Sequence, residues 1–365
     1  MKVKSHLKGL VPYPPGKTVE EIRRELGMSG KIYKFNSNEN PLGTSPLVKR
    51  VVSELAESVH LYPEASYIEF KQEIAKLWGV EPEQVVVGNG SDEVIELVFK
   101  AIVDKDDEIV ITEPSFLMYE KFAEIYGAKT KKVKLKNFSH DLEGILSAVS
   151  ENTKVVFIDH PHNPTGTVIK RSRWKEFLKA LPRHVLLVID EAYADFIEEK
   201  DTPKGIEFLQ ERRECLVIRT FSKSYGLAGL RLGYGIGEKD FVKVLDSIRQ
   251  PFNVNLVAAK AGVVALKDEE FLENTRKTIF EGRNYLTQEL NNMGFEVIPS
   301  QANFIMVNFG NKAKFVYESL MKRGVLVRPL GAYGFSEWIR ISIGLPDENQ
   351  HLVKTLKEVL SEDES

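Results

Sequence analysis

The sequence predicts an α/β protein with two lobes, a large domain built on a mostly parallel seven-stranded sheet flanked by helices and a smaller α+β domain. Its 365 residues exceed what one hydrophobic core usually organises. From about residue 83 to 234, short β-branched runs alternate with stretches of helical period, the pattern of βαβ units. After about residue 255 a long helical stretch precedes further short strands, which indicates a second lobe.

The strands of the large sheet are predicted from runs of apolar and β-branched residues. Several runs are continuously apolar, which is typical of strands that helices cover on both faces. The predicted strands are 84–87, 108–111, 129–135, 154–158, 185–189, 216–219 and 232–236, followed in the small lobe by 295–298, 303–308, 325–328 and 338–343. We expect residues 1–45 to form an arm and part of the small domain, 46–255 the large domain, and 256–365 the small domain.

Two helix starts are predicted from a hydroxyl residue followed three positions later by glutamate, the capping-box pattern. The first pair is Thr18 with Glu21, and Gly27 is placed to end that helix. The second pair is Ser66 with Glu69.

Composition excludes several classes of protein. With 50 basic and 53 acidic residues the chain has no broad positive field, so no nucleic-acid partner is expected. No apolar run approaches the ~18 residues of a membrane span, and the first residues lack a secretory signal, so we expect a cytoplasmic protein without a membrane partner. The only cysteine, Cys215, stands in an apolar run and is expected to be a buried thiol.

Polar residues follow the predicted strands at the edge where α/β sheets bind ligands. The Gly90-Ser91-Asp92 turn opens a helix near Val94, and helix amino termini bind anions. Asn163 follows the strand at 154–158, although asparagine in a turn is usually structural. Asp190 follows 185–189, and a single acid there is most often a helix cap.

One lysine, Lys223, follows the strand at 216–219, and a lysine considered alone is normally a solvated surface residue. The four strand ends together supply what pyridoxal 5′-phosphate needs: an amine for its aldehyde, an acid for its ring nitrogen, donors to its phenolate oxygen and a phosphate cup. Lys223 is the predicted Schiff-base amine, with a pKa lowered by apolar, cation-rich surroundings. Asp190 is predicted to face the ring nitrogen.

The remaining cofactor contacts are predicted from side-chain chemistry. Asn163 and Tyr193 can donate to the phenolate oxygen, and Ala192 is small enough to lie against the ring. Phe116 follows another strand and can stack on the open ring face. The phosphate group is assigned to Gly90, Ser91, Asp92, Ser222 and Arg231. No metal site is expected.

The sequence resembles the fold-type I aminotransferases and, among them, the histidinol-phosphate aminotransferases. The resemblance runs from Tyr13 to Arg340 and rests on nine ordered motifs. They are Asn36-Ser37-Asn38-Glu39-Asn40-Pro41, Leu61-Tyr62-Pro63, Gly90-Ser91-Asp92-Glu93, His162-Asn163-Pro164-Thr165-Gly166-Thr167, Asp190-Glu191-Ala192-Tyr193, Arg219-Thr220-Phe221-Ser222-Lys223, Gly229-Leu230-Arg231-Leu232-Gly233-Tyr234, Pro251-Phe252-Asn253-Val254-Asn255, and Val327-Arg328-Pro329 with Ile339-Arg340-Ile341-Ser342-Ile343-Gly344. One departure is His162, where the family commonly has asparagine, and we interpret it as structural.

The resemblance implies catalytic roles for Lys223, Asp190 and Tyr193 and a homodimer with shared active sites. Tyr62 would reach the cofactor phosphate of the neighbouring subunit. Residues implied to bind substrate are Tyr13, Asn40, Asn163, Arg328 and Arg340. The implied reaction is a ping-pong exchange of an amino group between L-glutamate/2-oxoglutarate and L-histidinol phosphate/imidazole-acetol phosphate, in histidine biosynthesis.

Three alternatives remain open at this point. A threonine-phosphate decarboxylase shares the fold and most of the motifs, and release of carbon dioxide without a 2-oxo acid would distinguish it. An aromatic or broad-range aminotransferase would prefer phenylpyruvate to imidazole-acetol phosphate. A non-catalytic regulator that binds the cofactor is disfavoured by the presence of both Lys223 and Asp190.

Overall fold

The computed structural model describes residues 2–12, 16, 18–27 and 29–363. Its strands are β1 (Tyr33–Lys34), β2 (Val85–Gly88), β3 (Glu108–Glu113), β4 (Lys129–Lys134), β5 (Thr153–Asp159), β6 (Leu186–Asp190), β7 (Cys215–Thr220), β8 (Gly233–Gly237), β9 (Glu296–Ile298), β10 (Phe304–Asn308), β11 (Val325–Leu326), β12 (Arg328–Leu330) and β13 (Phe335–Ser342). The α-helices are α1 (Val19–Leu26), α2 (Pro46–Glu54), α3 (Ile68–Trp78), α4 (Ser91–Ile102), α5 (Leu117–Tyr126), α6 (Leu142–Ala148), α7 (Arg171–Ala180), α8 (Gly205–Glu211), α9 (Lys239–Ile248), α10 (Leu256–Lys267), α11 (Glu269–Asn292), α12 (Ala313–Lys322) and α13 (Pro346–Asp363).

The large sheet has the strand order β2-β8-β7-β6-β5-β3-β4. Strand β8 is antiparallel to both β2 and β7, and the other neighbouring strands are parallel. All seven predicted strands of this sheet are confirmed within two residues at each end. The carboxyl ends of β5, β6 and β7 therefore meet at one edge, where the sequence places its polar residues.

Helices bury this sheet on both faces, which explains the continuous apolar runs. Along β6, Val188 packs into one hydrophobic cluster, whereas Leu187 and Ile189 pack into another on the opposite face. The thiol of Cys215 lies in the second cluster and is buried, as expected.

The smaller sheet has the order β12-β13-β10-β9, with antiparallel neighbours throughout. Its apolar face packs against α11, α12 and α13 through residues such as Leu286, Val316 and Leu352. The predicted strand at 325–328 is divided, because β11 pairs with β1 in a separate two-stranded sheet whereas β12 pairs with β13.

Helix α10 packs with α2 and α3 against the large sheet, in the cluster that includes Phe70 and Ala258. The division of the chain at residues 45 and 255 stays a prediction. None of the helices in the described ranges is both long and apolar enough to cross a membrane.

The capping box at Thr18 is confirmed, since Thr18 Oγ1 accepts the Glu21 N–H at 3.2 Å and Gly27 ends α1 with φ 64°. The prediction for Ser66 is wrong. Tyr67 is the residue before α3, in the left-handed region at φ 49°, and the Ser66 hydroxyl donates to Glu64 instead. The Tyr67 hydroxyl accepts the Val254 N–H at 3.0 Å, a tertiary contact that a local pattern does not reveal.

Candidate active site

A cavity of about 340 Å³ lies at the carboxyl edge of the large sheet. Ten of the predicted site residues line it, and they come from chain segments that are distant in sequence. They are Ser91, Asp92, Phe116, Asn163, Asp190, Ala192, Tyr193, Ser222, Lys223 and Arg231. Helix α4 begins at Ser91 rather than near Val94, so its first turn borders the cavity.

Lys223 presents a half-buried amine to this cavity. Its Nζ donates to the Ser37 carbonyl at 3.1 Å and lies 5.7 Å from the centre of the Tyr193 ring. Burial, reinforced by the nearby Arg340 guanidinium, lowers the pKa of Lys223 to about 8. A substantial fraction of the amine is therefore neutral, and hence nucleophilic, close to physiological pH.

Asp190 is a buried carboxyl group at the end of β6. Its Oδ2 accepts the Tyr119 hydroxyl at 2.8 Å, and its Oδ1 accepts the Ala192 N–H at 3.0 Å. Burial raises the pKa of Asp190 to about 7, opposed by the Tyr119 hydrogen bond and increased by the Asp159 carboxyl. Within the described ranges no lysine or arginine nitrogen lies within 4 Å of this carboxyl group, so a cationic ligand fits beside it.

Asn163 and Tyr193 face the same cavity from neighbouring loops. The Asn163 side-chain oxygen accepts from Arg340 Nη1 at 2.7 Å, which directs the amide of Asn163 toward the small lobe. The Tyr193 hydroxyl accepts from Asn38 at 3.0 Å, and burial raises the pKa of Tyr193. The phenol therefore stays protonated and can donate a hydrogen bond to a ligand oxygen.

The turn at Gly90 forms one end of the cavity. Gly90 has φ 79°, and a Cβ there would lie 2.6 Å from Arg231 Nη2, so only glycine allows the guanidinium to approach this backbone. Arg231 Nη2 donates to Asp92 at 3.2 Å and Nη1 to the Ala228 carbonyl at 3.1 Å, while the Ser222 hydroxyl lies 3.5 Å from Nη1. With the first N–H groups of α4, this end is suited to a phosphate.

Arg340 lies on β13 of the smaller sheet and is 6% exposed. Its Nη1 binds Asn163, its Nη2 donates to the Asn36 carbonyl at 3.0 Å, and its Nε is buried without a hydrogen-bond partner. Arg328 stands directly opposite Arg340 across the strand pair, so both side chains leave the same face. Two cations side by side favour anionic ligand groups between them.

Two other predicted residues, Asn40 and Tyr62, stand apart from the cavity lining. Asn40 donates to the Ser224 carbonyl at 2.9 Å and to Thr275 at 3.1 Å, which ties the arm to the loop carrying Lys223. Tyr62 is 81% exposed and stacks on Phe252 with ring centres 4.7 Å apart. Tyr13 lies outside the described residues.

Sequence reasoning missed two residues with acid-base chemistry, Asp159 in the cavity lining and Tyr119 behind Asp190. Asp159 ends β5 and lines the cavity, one position beyond the predicted end of that strand. Its place at a strand end was the available signal. Tyr119 lies within α5, where an apolar helical pattern gave no sign that its hydroxyl binds Asp190.

His162 belongs to a buried group with His140 and Asp159, whose ligand-type atoms lie within 4.8 Å of one another. Both ring nitrogens of His162 are engaged, with the Thr165 hydroxyl and the Pro114 carbonyl at 2.8 Å each. These contacts join the loop after β5 to the loop after β3, beneath the cavity.

A second cavity of about 720 Å³ adjoins the first and shares Phe116 as a wall. Its other aromatic lining residues are Phe138, Tyr333 and Phe335, from both lobes. Phe116 therefore separates an acidic, polar compartment from a larger aromatic one.

Comparison with known proteins agrees with this geometry. The family model for aminotransferase class I and II matches residues 30–356. The chain is 44% identical to the histidinol-phosphate aminotransferase of Akkermansia muciniphila over 97% of this chain and 98% of that one. It is 41% identical to histidinol-phosphate aminotransferase 2 of Carboxydothermus hydrogenoformans, over 98% and 99%. The crystal structure of the Sinorhizobium meliloti histidinol-phosphate aminotransferase with pyridoxal 5′-phosphate superposes with a TM-score of 0.91, at 28% identity over 99% and 98% of the chains.

Proposed function

We propose that this chain, which belongs to the aminotransferase class I and II family, is a pyridoxal-5′-phosphate-dependent transaminase of histidine biosynthesis. It would exchange an amino group between L-glutamate/2-oxoglutarate and L-histidinol phosphate/imidazole-acetol phosphate. The substrate assignment is supported by the names of relatives that match over nearly their full length. The observation that carries the proposal is one cavity lined by both Lys223 and the buried acid Asp190.

The residues present fit the cofactor at each of its polar groups. Lys223 offers the amine, and Asp190 offers a buried acid that no lysine or arginine pairs with among the residues that the structure describes. Asn163 and Tyr193 would bind the phenolate oxygen. The phosphate would lie against the start of α4 and Arg231.

When bound, the cofactor supplies an electron sink for the bond broken at the substrate α carbon. Lys223 Nζ would be the group that removes and returns the α proton, since its lowered pKa lets it act as a base near neutral pH. Asp190 would stabilise a positive charge on the cofactor ring, on the side of the cavity where β6 ends. Ala192 and Phe116, both in the lining, would enclose the ring and exclude water from its faces.

Substrate recognition is assigned to Arg340 and Arg328. Arg340 would bind the carboxylate of glutamate, and Arg328 a second anion. Glutamate carries two carboxylates, whereas histidinol phosphate carries a phosphate and no carboxylate, so a pair of adjacent guanidinium groups accommodates both substrates. Asn163 would orient Arg340 through the 2.7 Å hydrogen bond. The proposed substrate role of Asn40 would be indirect, because its amide ties the arm to the loop that carries Lys223.

The direct test combines a spectrum with a substrate scan. The purified protein should absorb near ~420 nm, and L-glutamate should bleach that band. Borohydride should fix the cofactor on the peptide that contains Lys223. Lys223→Ala should lose both the band and turnover, whereas Lys175→Ala, at an exposed position on α7, should lose neither.

Turnover of histidinol phosphate should exceed that of phenylalanine in the same scan. Release of carbon dioxide from threonine phosphate would identify a decarboxylase instead. Full turnover by Lys223→Ala would overturn the mechanism.

A homodimer is part of the proposal, with Tyr62 reaching the partner's phosphate group and Tyr13 its substrate. Its support is the position of the exposed Tyr62 ring, which stacks on Phe252. The next residue, Asn253, donates to the Val87 carbonyl at 3.0 Å, close to the Gly90 turn where the phosphate would bind. Sedimentation should give twice the mass of the 41.4 kDa chain. A cytoplasmic location belongs to the same proposal, and the buried, unpaired Cys215 is compatible with it.

A further inference from the structure

Two buried carboxyl groups, not one, border the cavity at adjacent strand ends. Asp159 and Asp190 are register partners at the ends of the parallel strands β5 and β6. Asp159 is 4% exposed and Asp190 5% exposed, and both line the cavity. Acids placed side by side in a low-dielectric site repel each other unless a cation lies between or beside them.

The contacts of Asp159 leave one of its oxygens without a partner. Asp159 Oδ2 accepts the Asn163 N–H at 2.7 Å, whereas Oδ1 is buried without a hydrogen-bond partner. Among the described residues, His140 places Nε2 3.6 Å from Oδ1, and His162 places a ring nitrogen within 4.8 Å of this carboxyl group. The Nε2 of His140 is already 2.8 Å from the Asp159 carbonyl, and the Nδ1 of the same ring is 2.6 Å from the Thr112 hydroxyl.

In the part of the chain that the structure describes, neither neighbouring imidazole neutralises the charge of Asp159. Burial lowers the pKa of His140 to about 4 and that of His162 to about 4, so both rings are neutral at physiological pH. Asp190 accepts from Tyr119 and from the Ala192 backbone, and no lysine or arginine among the described residues forms an ion pair with it. Burial raises the pKa of Asp159 to about 6 and that of Asp190 to about 7, so the two acids favour a positively charged group beside them, at the end of the cavity away from Arg231.

We propose that Asp159 is a second acidic positioning residue: with Asp190 it favours the protonated ring nitrogen of the cofactor, and through its hydrogen bond it fixes the loop that carries Asn163. This inference rests on the proposed function, since the ring nitrogen belongs to pyridoxal 5′-phosphate. Asp190 would contact the ring nitrogen directly. Asp159 would act through the electrostatic field of its carboxylate and through its hydrogen bond to Asn163. Because the two effects are separable, they can be measured separately.

The test compares two ligands of the apoprotein, pyridoxal 5′-phosphate and its 1-deaza analogue, in which carbon replaces the ring nitrogen. Both have the same aldehyde and phosphate, but the analogue's ring does not accept a proton. The ratio of their dissociation constants measures how much the protein gains from the protonated nitrogen. Asp159→Asn keeps the side-chain shape and an acceptor for the Asn163 N–H while removing the charge.

We expect Asp159→Asn to reduce the preference for pyridoxal 5′-phosphate over the analogue about tenfold, the factor that corresponds to one pKa unit. The matched control is Asp141→Asn. Asp141 also has a buried oxygen without a partner but lies at the start of α6, away from the cavity. Its substitution should leave the ratio unchanged. If Asp159→Asn does not fold, the smaller and neutral Asp159→Ser gives the same comparison.

An unchanged ratio in a folded Asp159 variant would overturn the electrostatic role, even if both ligands bound more weakly, because equal weakening indicates only a structural effect. If wild-type apoprotein bound neither ligand, the proposed function itself would fall. If wild-type protein bound both ligands equally, the cavity would not favour a protonated nitrogen, and the inference would be wrong while cofactor binding stood.

Discussion

The raised pKa of Asp190 reduces the stability of the folded apoprotein at high pH, and this loss can be measured. Burial holds the carboxyl pKa at about 7, above the ~3.9 of an unfolded aspartate. Between these values the folded state binds more protons than the unfolded state. The contribution of this group to stability is therefore greatest at low pH and falls as the pH rises toward 7.

Asp190→Asn should stabilise the apoprotein at about pH 8 by about 1–3 kcal/mol, because it removes a buried charge that has no cation partner. At about pH 4 the gain should disappear, since Asp190 is then protonated in the folded state. Urea unfolding of both apoproteins at the two pH values measures the difference. The same variant should bind the cofactor more weakly. A variant that is less stable at the higher pH would contradict the assigned burial cost.

The lowered pKa of Lys223 predicts how the rate of cofactor capture depends on pH. Its pKa of about 8 reflects burial and the positive charge of Arg340. The rate at which apoprotein captures the cofactor should fall about tenfold per pH unit below this value, as the amine becomes protonated. Arg340→Leu removes a repelling cation, so it should move the profile to higher pH. Stopped-flow absorbance measures both profiles, and a shift to lower pH in the variant would refute the assignment.

At the scale of elements, the sequence predicted strands better than the contacts between them. Runs such as 154–158 and 185–189 stand out because helices bury both faces of the sheet, so nearly every side chain is apolar. Two other predictions, one wrong and one incomplete, concern places where tertiary contacts determine the secondary structure. The start of α3 depends on Tyr67 binding Val254, and the segment 325–328 divides between two sheets.

The candidate site shows the same division between local and tertiary information. Lys223, Asp190 and Asn163 could be predicted because each lies at or shortly after the carboxyl end of a strand, and the carboxyl ends of neighbouring parallel strands meet at one edge. Tyr119 could not, because its role depends on where the fold places the hydroxyl of this α5 residue relative to the carboxyl end of β6. Residue type and spacing contain no information about that contact.

The turn after Lys223 is an element whose geometry only glycine satisfies. Gly226 has φ 67°, and a Cβ there would lie 1.9 Å from the Gly43 carbonyl oxygen. Gly226→Ala should destabilise the protein by about 3 kcal/mol or more, because two backbone segments must separate. Gly229→Ala is the matched control: a Cβ there meets no heavy atom within 4 Å. Thermal unfolding of the two variants should differ clearly, and equal melting temperatures would contradict the close approach.

At the scale of the whole molecule, the small lobe is joined to the cavity by charged side chains. Arg340 reaches Asn163 from β13, and Arg276 of α11 donates to the Asp195 carbonyl at 3.2 Å. Arg283 of the same helix donates to the carbonyls of Phe196 and Ala302. Ligand binding should therefore stabilise both lobes together rather than the large sheet alone.

Pyridoxal 5′-phosphate at about 100 times its dissociation constant should stabilise the protein by about 2.7 kcal/mol, through preferential binding to the folded state. Calorimetry should show one transition that moves to higher temperature as a whole. Pyridoxal without the phosphate is the control, and it should give a smaller shift because it leaves Arg231 without its anion. Two separate transitions, of which only one moved, would show that the lobes unfold independently.

The reversed direction of β8 has a consequence for ligand size. Because β8 runs against β7, the chain leaves the sheet at Thr220 and returns at Gly233 on the same edge. This one loop carries both the amine of Lys223 and the guanidinium of Arg231. The loop thus fixes the distance between the group that binds an aldehyde and the group that binds a phosphate. A ligand with a longer or shorter spacer between these two functions would contact only Lys223 or only Arg231.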